Sequence, residues 1–112
     1  MARLASGVMV SALIRAAEQS GGSAMVLAKG DATAGGILLL TIERGMNPRF
    51  FERGLGAGGE PALIASGPAE LTDDHDATDY WQRRRSRDSD LWVIELDIPS
   101  AERFAAETMG LA

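Results

Sequence analysis

The spacing of apolar residues predicts a helix near the start of the chain. Between Val8 and Gln19 the apolar side chains form one helical stripe: Met9, Leu13, Ala16 and Ala17, widened by Val10 and Ile14. Ser6 is predicted as the N-cap, because its hydroxyl can accept a hydrogen bond from an unpaired first-turn amide. Gly21 and Gly22 follow, and glycine supplies the left-handed residue that commonly ends a helix.

Two apolar runs of strand composition come next, at Ala24–Ala28 and Gly36–Glu43. The segment Lys29–Gly35 between them is bounded by glycine, and we predict that it forms a hairpin turn joining the two strands. Because Ile37 to Ile42 is apolar at nearly every position, we expect the second strand to be central and covered on both faces.

Shorter segments predict the remaining strands. Arg49–Arg53 is predicted as a third strand, and its mixed polarity favours an edge position. Residues 54–61 are predicted as a flexible loop and residues 62–66 as a further short strand. Leu91–Asp97 is the clearest strand of the chain, with Trp92, Ile94 and Leu96 on one face.

A second helix is predicted from Thr72 to residue 87. Acidic residues open it and arginines close it, which is the polarity that the helix dipole favours. Tyr80 and Trp81 share a face with Ala77 and Arg84, so we expect the two aromatic rings to anchor the helix to the sheet. A last short helix is predicted to begin at Pro99–Ser100 and run through Thr108.

The order of elements indicates an α+β fold, since strands grouped in hairpins are flanked by segregated helices. We expect a small antiparallel sheet of four to five strands. An N-terminal helix, a helix near 72–87 and a short C-terminal helix flank it. The 112 residues are predicted to form a single domain, 1–112.

Composition and charge exclude several classes of site. The chain has no cysteine and one histidine, which excludes disulfides, thiol nucleophiles, Cys-ligated zinc and multi-His metal centres within one chain. The net charge of −5 is uneven, at +1 for residues 1–69 and −6 for residues 70–112. This balance argues against general binding to a phosphate backbone. No cofactor is predicted.

The cytoplasm of a bacterium is the predicted location. The excess of arginine, alanine and glycine is typical of a GC-rich bacterial genome. Arg3 before the apolar stretch Leu4–Ile14 resembles a signal peptide, but Gly7 and Ser11 interrupt the stretch, and we favour the first helix of the mature domain. No apolar run approaches the roughly 20 residues that span a bilayer, so no membrane association is expected.

Several motifs have both a chemical and an ordinary interpretation. Gly54, Gly56 and Gly59 match the dinucleotide-binding pattern G-x-G-x-x-G, but no buried strand precedes them and no long helix can follow. We interpret the match as accidental. His75 and Asp79 are four residues apart and can share a divalent ion on one helical face. An acidic helix start explains the same residues, and we favour it.

The basic end of the second helix is a candidate nucleic-acid contact through Arg83, Arg84 and Arg87. The alternative, which we favour, is a solvated helix end whose arginines pair with Asp79, Asp88 and Asp90. Nucleic acid is therefore not an expected partner.

The Lys29–Gly36 turn is a candidate anion nest, but a hairpin turn explains the same residues, and we favour the turn. If a small ligand binds here, we expect it between this turn and the segment Asp88–Trp92. Its candidate contacts are Arg15, Lys29, Asp31 and Trp92.

Several segments of the chain resemble an uncharacterised bacterial family, domain of unknown function 1491. The matching stretches are Arg3-Leu4, Val10 to Arg15, Gly30-Asp31 with Ala34-Gly35, and Asp88 to Glu95. The Asp-x-Asp-Leu-Trp-Val-x-Glu segment is the most specific of them, and Ser89 stands where the family pattern has proline. The resemblance implies a stand-alone cytoplasmic protein with Arg15 and Trp92 at structurally demanding positions. It implies no particular activity or mechanism.

The function that the sequence favours is that of a small non-enzymatic binding or assembly protein acting as a homodimer, because catalytic groups are scarce. An unknown protein partner is compatible with this interpretation. The dimer is suggested by Ile37–Ile42, the broad apolar face of the first helix and the Phe50-Phe51 pair on a predicted edge. The alternative is a small-molecule or anion-binding accessory protein or enzyme that uses the 29–36 turn and the 88–92 segment.

Overall fold

Three helices and five strands make up the described part of the chain in the computed structural model, which describes residues 4–68, 71 and 74–111. In chain order they are α1 (Ser6–Gln19), β1 (Ser23–Ala28), β2 (Ile37–Glu43), β3 (Met46–Leu55), β4 (Pro61–Ser66), α2 (Asp74–Arg87), β5 (Trp92–Asp97) and α3 (Ala101–Thr108). The predicted α+β class is confirmed. Thr72, the predicted start of the second helix, lies outside the described residues.

The sheet is mixed, in the order β1-β5-β2-β3-β4. β5 pairs antiparallel with β1 and parallel with β2, so the prediction of a purely antiparallel sheet was wrong in this one pairing. The hairpin turn predicted at Lys29–Gly35 was also wrong, because β5 lies between β1 and β2. The segment is a connection that crosses the end of β5. Its glycines are typical of a close crossing as well as of a turn.

β2 is the central strand, as its continuous apolar run predicts, and Leu38 and Leu39 on its two faces are fully buried. The edge position predicted for Arg49–Arg53 was wrong, because β3 lies between β2 and β4. Phe50 and Phe51 are 2% and 1% exposed on opposite faces of β3. Two adjacent buried rings are typical of a strand covered on both sides, and here they outweigh the flanking charges.

One face of the sheet is covered by α1 and α3. Trp92, Ile94 and Leu96 share this face, as predicted, and pack with Leu13 of α1 and Ala105 of α3. The first helix begins two residues before the predicted Val8.

The other face is covered by α2. Ala77 is buried there, and Tyr80 and Trp81 pack against the same cluster. The Tyr80 ring lies 4.7 Å from the Phe50 ring, centroid to centroid, in a tilted arrangement. The two aromatic residues therefore anchor α2 to the sheet, as the sequence predicts.

Glycine ends α1 as predicted. Gly21 has φ +84°, and the Gly22 amide donates to the Ala17 carbonyl at 2.9 Å, which satisfies a carbonyl at the end of the helix. The predicted N-cap was wrong, because Ala5 is the N-cap and Ser6 is the first helical residue. The Ser6 hydroxyl instead donates to the carbonyl of Gly35, which joins the start of α1 to the 29–36 segment.

The G-x-G-x-x-G match falls on a β-hairpin. Gly54 belongs to β3 and the next element is β4, so part of the predicted 54–61 loop is strand. The Gly56 amide donates to the Glu60 carbonyl at 2.7 Å and closes the turn. A dinucleotide site needs a helix N-terminus after the glycines, and this segment leads into a strand.

Candidate functional site

The structure brings together the 29–36 segment and the residues before β5. The Asp31 amide donates to the Asp90 carbonyl at 3.0 Å, and the Trp92 amide donates to the Gly36 carbonyl at 2.8 Å. The indole Nε1 of Trp92 donates to the Asp31 carbonyl at 2.8 Å. Asp31 and Trp92, two of the predicted ligand contacts, therefore meet through a hydrogen bond that fixes the backbone.

Glycine is required at this crossing by close backbone contact. A Cβ on Gly35 would lie 2.0 Å from the Asp90 carbonyl oxygen, and one on Gly30 would lie 2.1 Å from it. Both distances are far inside van der Waals contact. The residue type at these positions is thus explained by packing.

The amides of this segment are largely occupied by the protein itself. The Asp31 carboxylate accepts hydrogen bonds from the Thr33 and Ala34 amides at 3.1 and 2.8 Å. The Gly35 amide donates to the Asp31 carbonyl at 3.3 Å. An anion nest needs several free amides that converge, and four amides here, including that of Asp31, already have acceptors.

The four predicted ligand contacts do not share one open surface. Trp92 is 6% exposed and packs in the core beneath α1, which leaves little of the ring for a ligand. Lys29 is exposed in the connecting segment, and Arg15 is exposed on α1. Their role in ligand binding stays a prediction.

Arg84 ties α2 to the sheet. Its guanidinium donates to both carboxylate oxygens of Glu52 on β3, at 2.7 and 3.0 Å, and to the Tyr80 hydroxyl at 2.9 Å. Both charged side chains are about 30% exposed. The hydrogen bonds from Arg84 hold the pKa of the Glu52 carboxyl below its ordinary value, against the opposing effect of burial. By accepting these hydrogen bonds, Glu52 raises the pKa of Arg84.

The remaining arginines of α2 differ in their surroundings. Arg83 and Arg87 are exposed at the end of the helix. Arg85 donates to the carbonyls of Ser89 and Leu91, and so ties the end of α2 to the segment before β5. Of the three predicted nucleic-acid contacts, Arg84 is engaged with Glu52, a partner 32 residues away, rather than with the local aspartates.

The histidine lies on the surface of α2. His75 Nε2 is 3.5 Å from Asp79 Oδ2, and the two side chains are 79% and 52% exposed. Within residues 4–68, 71 and 74–111, no group of three metal-ligating side chains comes together. Asp73, which belongs to the same acidic run in the sequence, lies outside the described residues.

A pocket that the sequence does not indicate lies on the α1–α3 side of the sheet. Its volume is about 530 Å³. Its walls come from the start of α1, the strand ends near Ile37 and Pro61, and the end of α3. The lining residues are Leu4, Ser6, Met9, Gly35, Gly36, Ile37, Glu52, Arg53, Pro61, Thr108, Met109, Gly110 and Leu111.

The end of α3 forms one wall of this pocket. Gly110 has φ +71°, which allows the chain to reverse, and the Leu111 amide donates to the Ala106 carbonyl at 2.8 Å. The reversal folds the Leu111 side chain back against the protein, where it is 8% exposed. The opposite wall is fixed by the hydrogen bond between Ser6 and Gly35.

Two charged residues line the pocket, and they occupy adjacent positions in β3. Successive strand residues point to opposite faces. Glu52 points to the α2 face, where Arg84 binds its carboxylate. Arg53 is on the face of Phe51, which packs with α1 and α3, and it is exposed at the pocket. Arg53 therefore supplies the positive charge on the pocket side.

The sequence gives no contiguous signal for this pocket. Leu4 and Met9 lie at the start of α1, whereas Ile37, Pro61 and Met109 belong to three other segments of the chain. Only the strand order and the reversal after α3 bring them together. Each apolar residue taken alone is indistinguishable from a core residue.

We predict that Gly35→Ala destabilises the protein by about 2–3 kcal/mol, because the added methyl group overpacks the crossing against Asp90. Gly36→Ala is the matched control. A Cβ there meets only the end of Leu91, at 3.4 Å, and should change stability by no more than about 0.5 kcal/mol. Urea unfolding of both variants measures the difference. Equal stability of the two variants would contradict the close contact between Gly35 and the Asp90 carbonyl.

We predict that Glu52→Gln lowers stability by about 1 kcal/mol at neutral pH, given the partial exposure of the pair. The folded pKa of Glu52 is lowered, so its contribution is present above the unfolded pKa and is lost as pH falls through the folded pKa. The difference between wild type and variant should therefore shrink below about pH 4.5. Thermal unfolding at several pH values measures it.

The matched control is Glu107→Gln, which removes a carboxylate from an exposed pair, 3.8 Å from Arg103. This substitution should have little effect at any pH, because exposed pairs contribute little. An equal effect of the two substitutions would show that Arg84 does not hold Glu52 in solution.

No helix in the described ranges is both long enough and apolar enough to cross a membrane.

Comparison with known proteins places the chain in a family. The model of the family described as "Protein of unknown function (DUF1491)" matches residues 4–106, which confirms the resemblance seen in the sequence. No curated protein matches the chain.

Three solved structures with the same fold come from Caulobacter crescentus and A. tumefaciens. A crystal structure of a DUF1491 family protein from Caulobacter crescentus CB15 is 33% identical, with a TM-score of 0.75 over 90% of this chain and 94% of that chain. An NMR structure of a DUF1491 family protein from that organism is 32% identical in sequence. It covers 93% of this chain and 94% of that chain, with a TM-score of 0.74. The solution structure of protein Atu0922 from A. tumefaciens is 25% identical in sequence. It covers 99% of this chain and 96% of that chain, with a TM-score of 0.74. The chain belongs to the DUF1491 family.

Proposed function

We propose that this protein is a small non-enzymatic binding protein whose ligand site is the pocket between α1, α3 and the ends of β2, β3 and β4. The observation that carries the proposal is the pocket itself. Its volume of about 530 Å³ lies within the range of small-molecule sites, and its walls are mainly apolar. Apolar walls with a few polar groups are the usual composition of such sites.

The groups in the pocket favour binding over catalysis. Acid–base chemistry needs a titratable group free to exchange a proton with the ligand. Among the lining residues that the structure describes, the ionisable ones are Glu52 and Arg53. The Glu52 carboxylate is held by Arg84, and the Ser6 hydroxyl donates to the Gly35 carbonyl. The pocket thus offers shape and one positive charge, and no nucleophile paired with a base.

We predict that small apolar fragments bind in this pocket, as measured by shifts in ¹H–¹⁵N correlation spectra. The first residues to shift should be Gly35, Gly36 and the segment from Thr108 to Leu111, because these line the walls. Met109→Arg should abolish the shifts, since it places a charge among apolar side chains. Met46→Arg is the matched control, because Met46 is 66% exposed and is not part of the pocket.

The proposal fails if no fragment shifts the pocket residues, or if Met109→Arg leaves binding unchanged. Circular dichroism of both variants should show the wild-type fold, which separates loss of the site from loss of the structure.

We further propose that the protein acts as a homodimer joined through β1. Two of the features that suggested a dimer in the sequence are buried, since Ile37–Ile42 lies in the central strand and Phe50-Phe51 in the core. The edge strand β1 supports the proposal instead. Met25 and Val26 are 58% and 39% exposed on its two faces, and Ser23–Ala28 carries neither charge nor proline. Such an edge is open to pairing with a second strand.

We predict that light scattering coupled to size-exclusion chromatography finds a dimer, and that Val26→Lys converts it to a monomer by placing a charge on the pairing edge. The control is Ile64→Lys on the opposite edge strand, where Ile64 is 36% exposed. A monomer at every protein concentration, or equal effects of the two substitutions, would overturn the proposed interface.

The cytoplasm stays the predicted location.

A further inference from the structure

We propose that the pocket selects small amphipathic carboxylates, with the apolar part of the ligand inside and its carboxylate on the Arg53 guanidinium. This inference rests on the proposed function, because it names the class of ligand for the same pocket. It adds a requirement for charge that an apolar site alone does not have.

The positive charge of Arg53 is not neutralised on its own face of the sheet. The neighbouring carboxylate, Glu52, points to the other face and is bound by Arg84. Within the described residues, no hydrogen bond or ion pair engages the Arg53 side chain. Arg53 is therefore an exposed positive group beside apolar walls, in a protein whose net charge is −5.

The helix ends at the pocket do not decide the sign of the preferred ligand. α1 begins there and presents the positive end of its dipole, whereas α3 ends there and presents the negative end. Each end is equivalent to about half an elementary charge, and the two oppose each other. The amide of Gly7 and the carbonyl of Ala106 also have partners within the protein. The full charge of Arg53 is the larger contribution.

The chemistry of the Arg53 guanidinium and of the apolar walls indicates which class of ligand fits the pocket. Arginine presents a planar set of N–H donors that matches the two oxygens of a carboxylate. Met9, Ile37 and Met109 are half-buried and offer apolar surface beyond it. A small inorganic anion would leave these walls unfilled, and an amine would be repelled by Arg53. A carboxylate attached to an alkyl or aryl group can pair with Arg53 and also fill the apolar part of the pocket.

The test compares acids with alcohols of the same shape by isothermal titration calorimetry. The probes are octanoate against 1-octanol and 3-phenylpropanoate against 3-phenylpropanol, which also distinguish alkyl from aryl ligands. We expect at least one acid to bind on the order of tenfold more tightly than its alcohol. Arg53→Gln should remove this preference while alcohol binding remains, and Arg53→Lys should retain part of it. Arg103→Gln, which removes an exposed arginine of α3 outside the pocket, should leave the preference intact.

The outcomes separate this inference from the proposed function. If acid and alcohol bind equally in the pocket, or if Arg53→Gln keeps the preference, the carboxylate assignment is overturned and the pocket remains a binding site. If the acids bind but shift residues elsewhere in ¹H–¹⁵N spectra, the assignment to Arg53 is overturned. If neither acids nor alcohols bind, the proposed function itself fails.

Discussion

The double pairing of β5 is the constraint on which the rest of the structure depends. This strand binds β1 on one side and β2 on the other, with Val93 and Ile94 fully buried on its two faces. Because β1 and β2 are consecutive in the chain, the segment between them must cross the end of β5. The crossing requires glycine beside the Asp90 carbonyl, and the Trp92 indole closes it by donating to the Asp31 carbonyl.

The pocket is a consequence of the same arrangement. The crossing segment carries Gly35 to the start of α1, where the Ser6 hydroxyl donates to the Gly35 carbonyl. β5 leads directly into α3, and the reversal at Gly110 folds Leu111 back against the protein beyond the end of that helix. The start of α1 and the end of α3 therefore leave a space between them, and residues of β2, β3 and β4 line its floor. Small residues at its walls, Ser6, Gly35, Gly36 and Gly110, leave this space open.

The sequence predicts the elements that local periodicity determines and misses what distant pairing determines. The apolar spacing in α1 and the alternation in β5 depend on side chains within one element, so both elements were predicted. The neighbour of β1 depends on a strand almost seventy residues later, and nothing in Lys29–Gly35 distinguishes a turn from a crossing. Charge was misleading in β3, because Arg49 and Arg53 reach solvent from an interior strand. Arg84 shows the same limit. Its partner Glu52 lies on another element, while aspartates lie much nearer in the chain.

The adjacent residues Glu52 and Arg53 show how one strand can serve stability and recognition separately. Alternation sends the carboxylate to the face of α2, where a guanidinium matches it and the pair ties helix to sheet. The same alternation sends the arginine to the pocket face, where no acidic residue lies opposite it among the lining residues on that face. If the two side chains shared a face, they would pair with each other. Arg84 would then lack its carboxylate partner, and the pocket would lack an available positive charge. Their separation leaves one charge committed to the fold and one available to a ligand, which is the physical basis for a carboxylate site in a protein that is acidic overall.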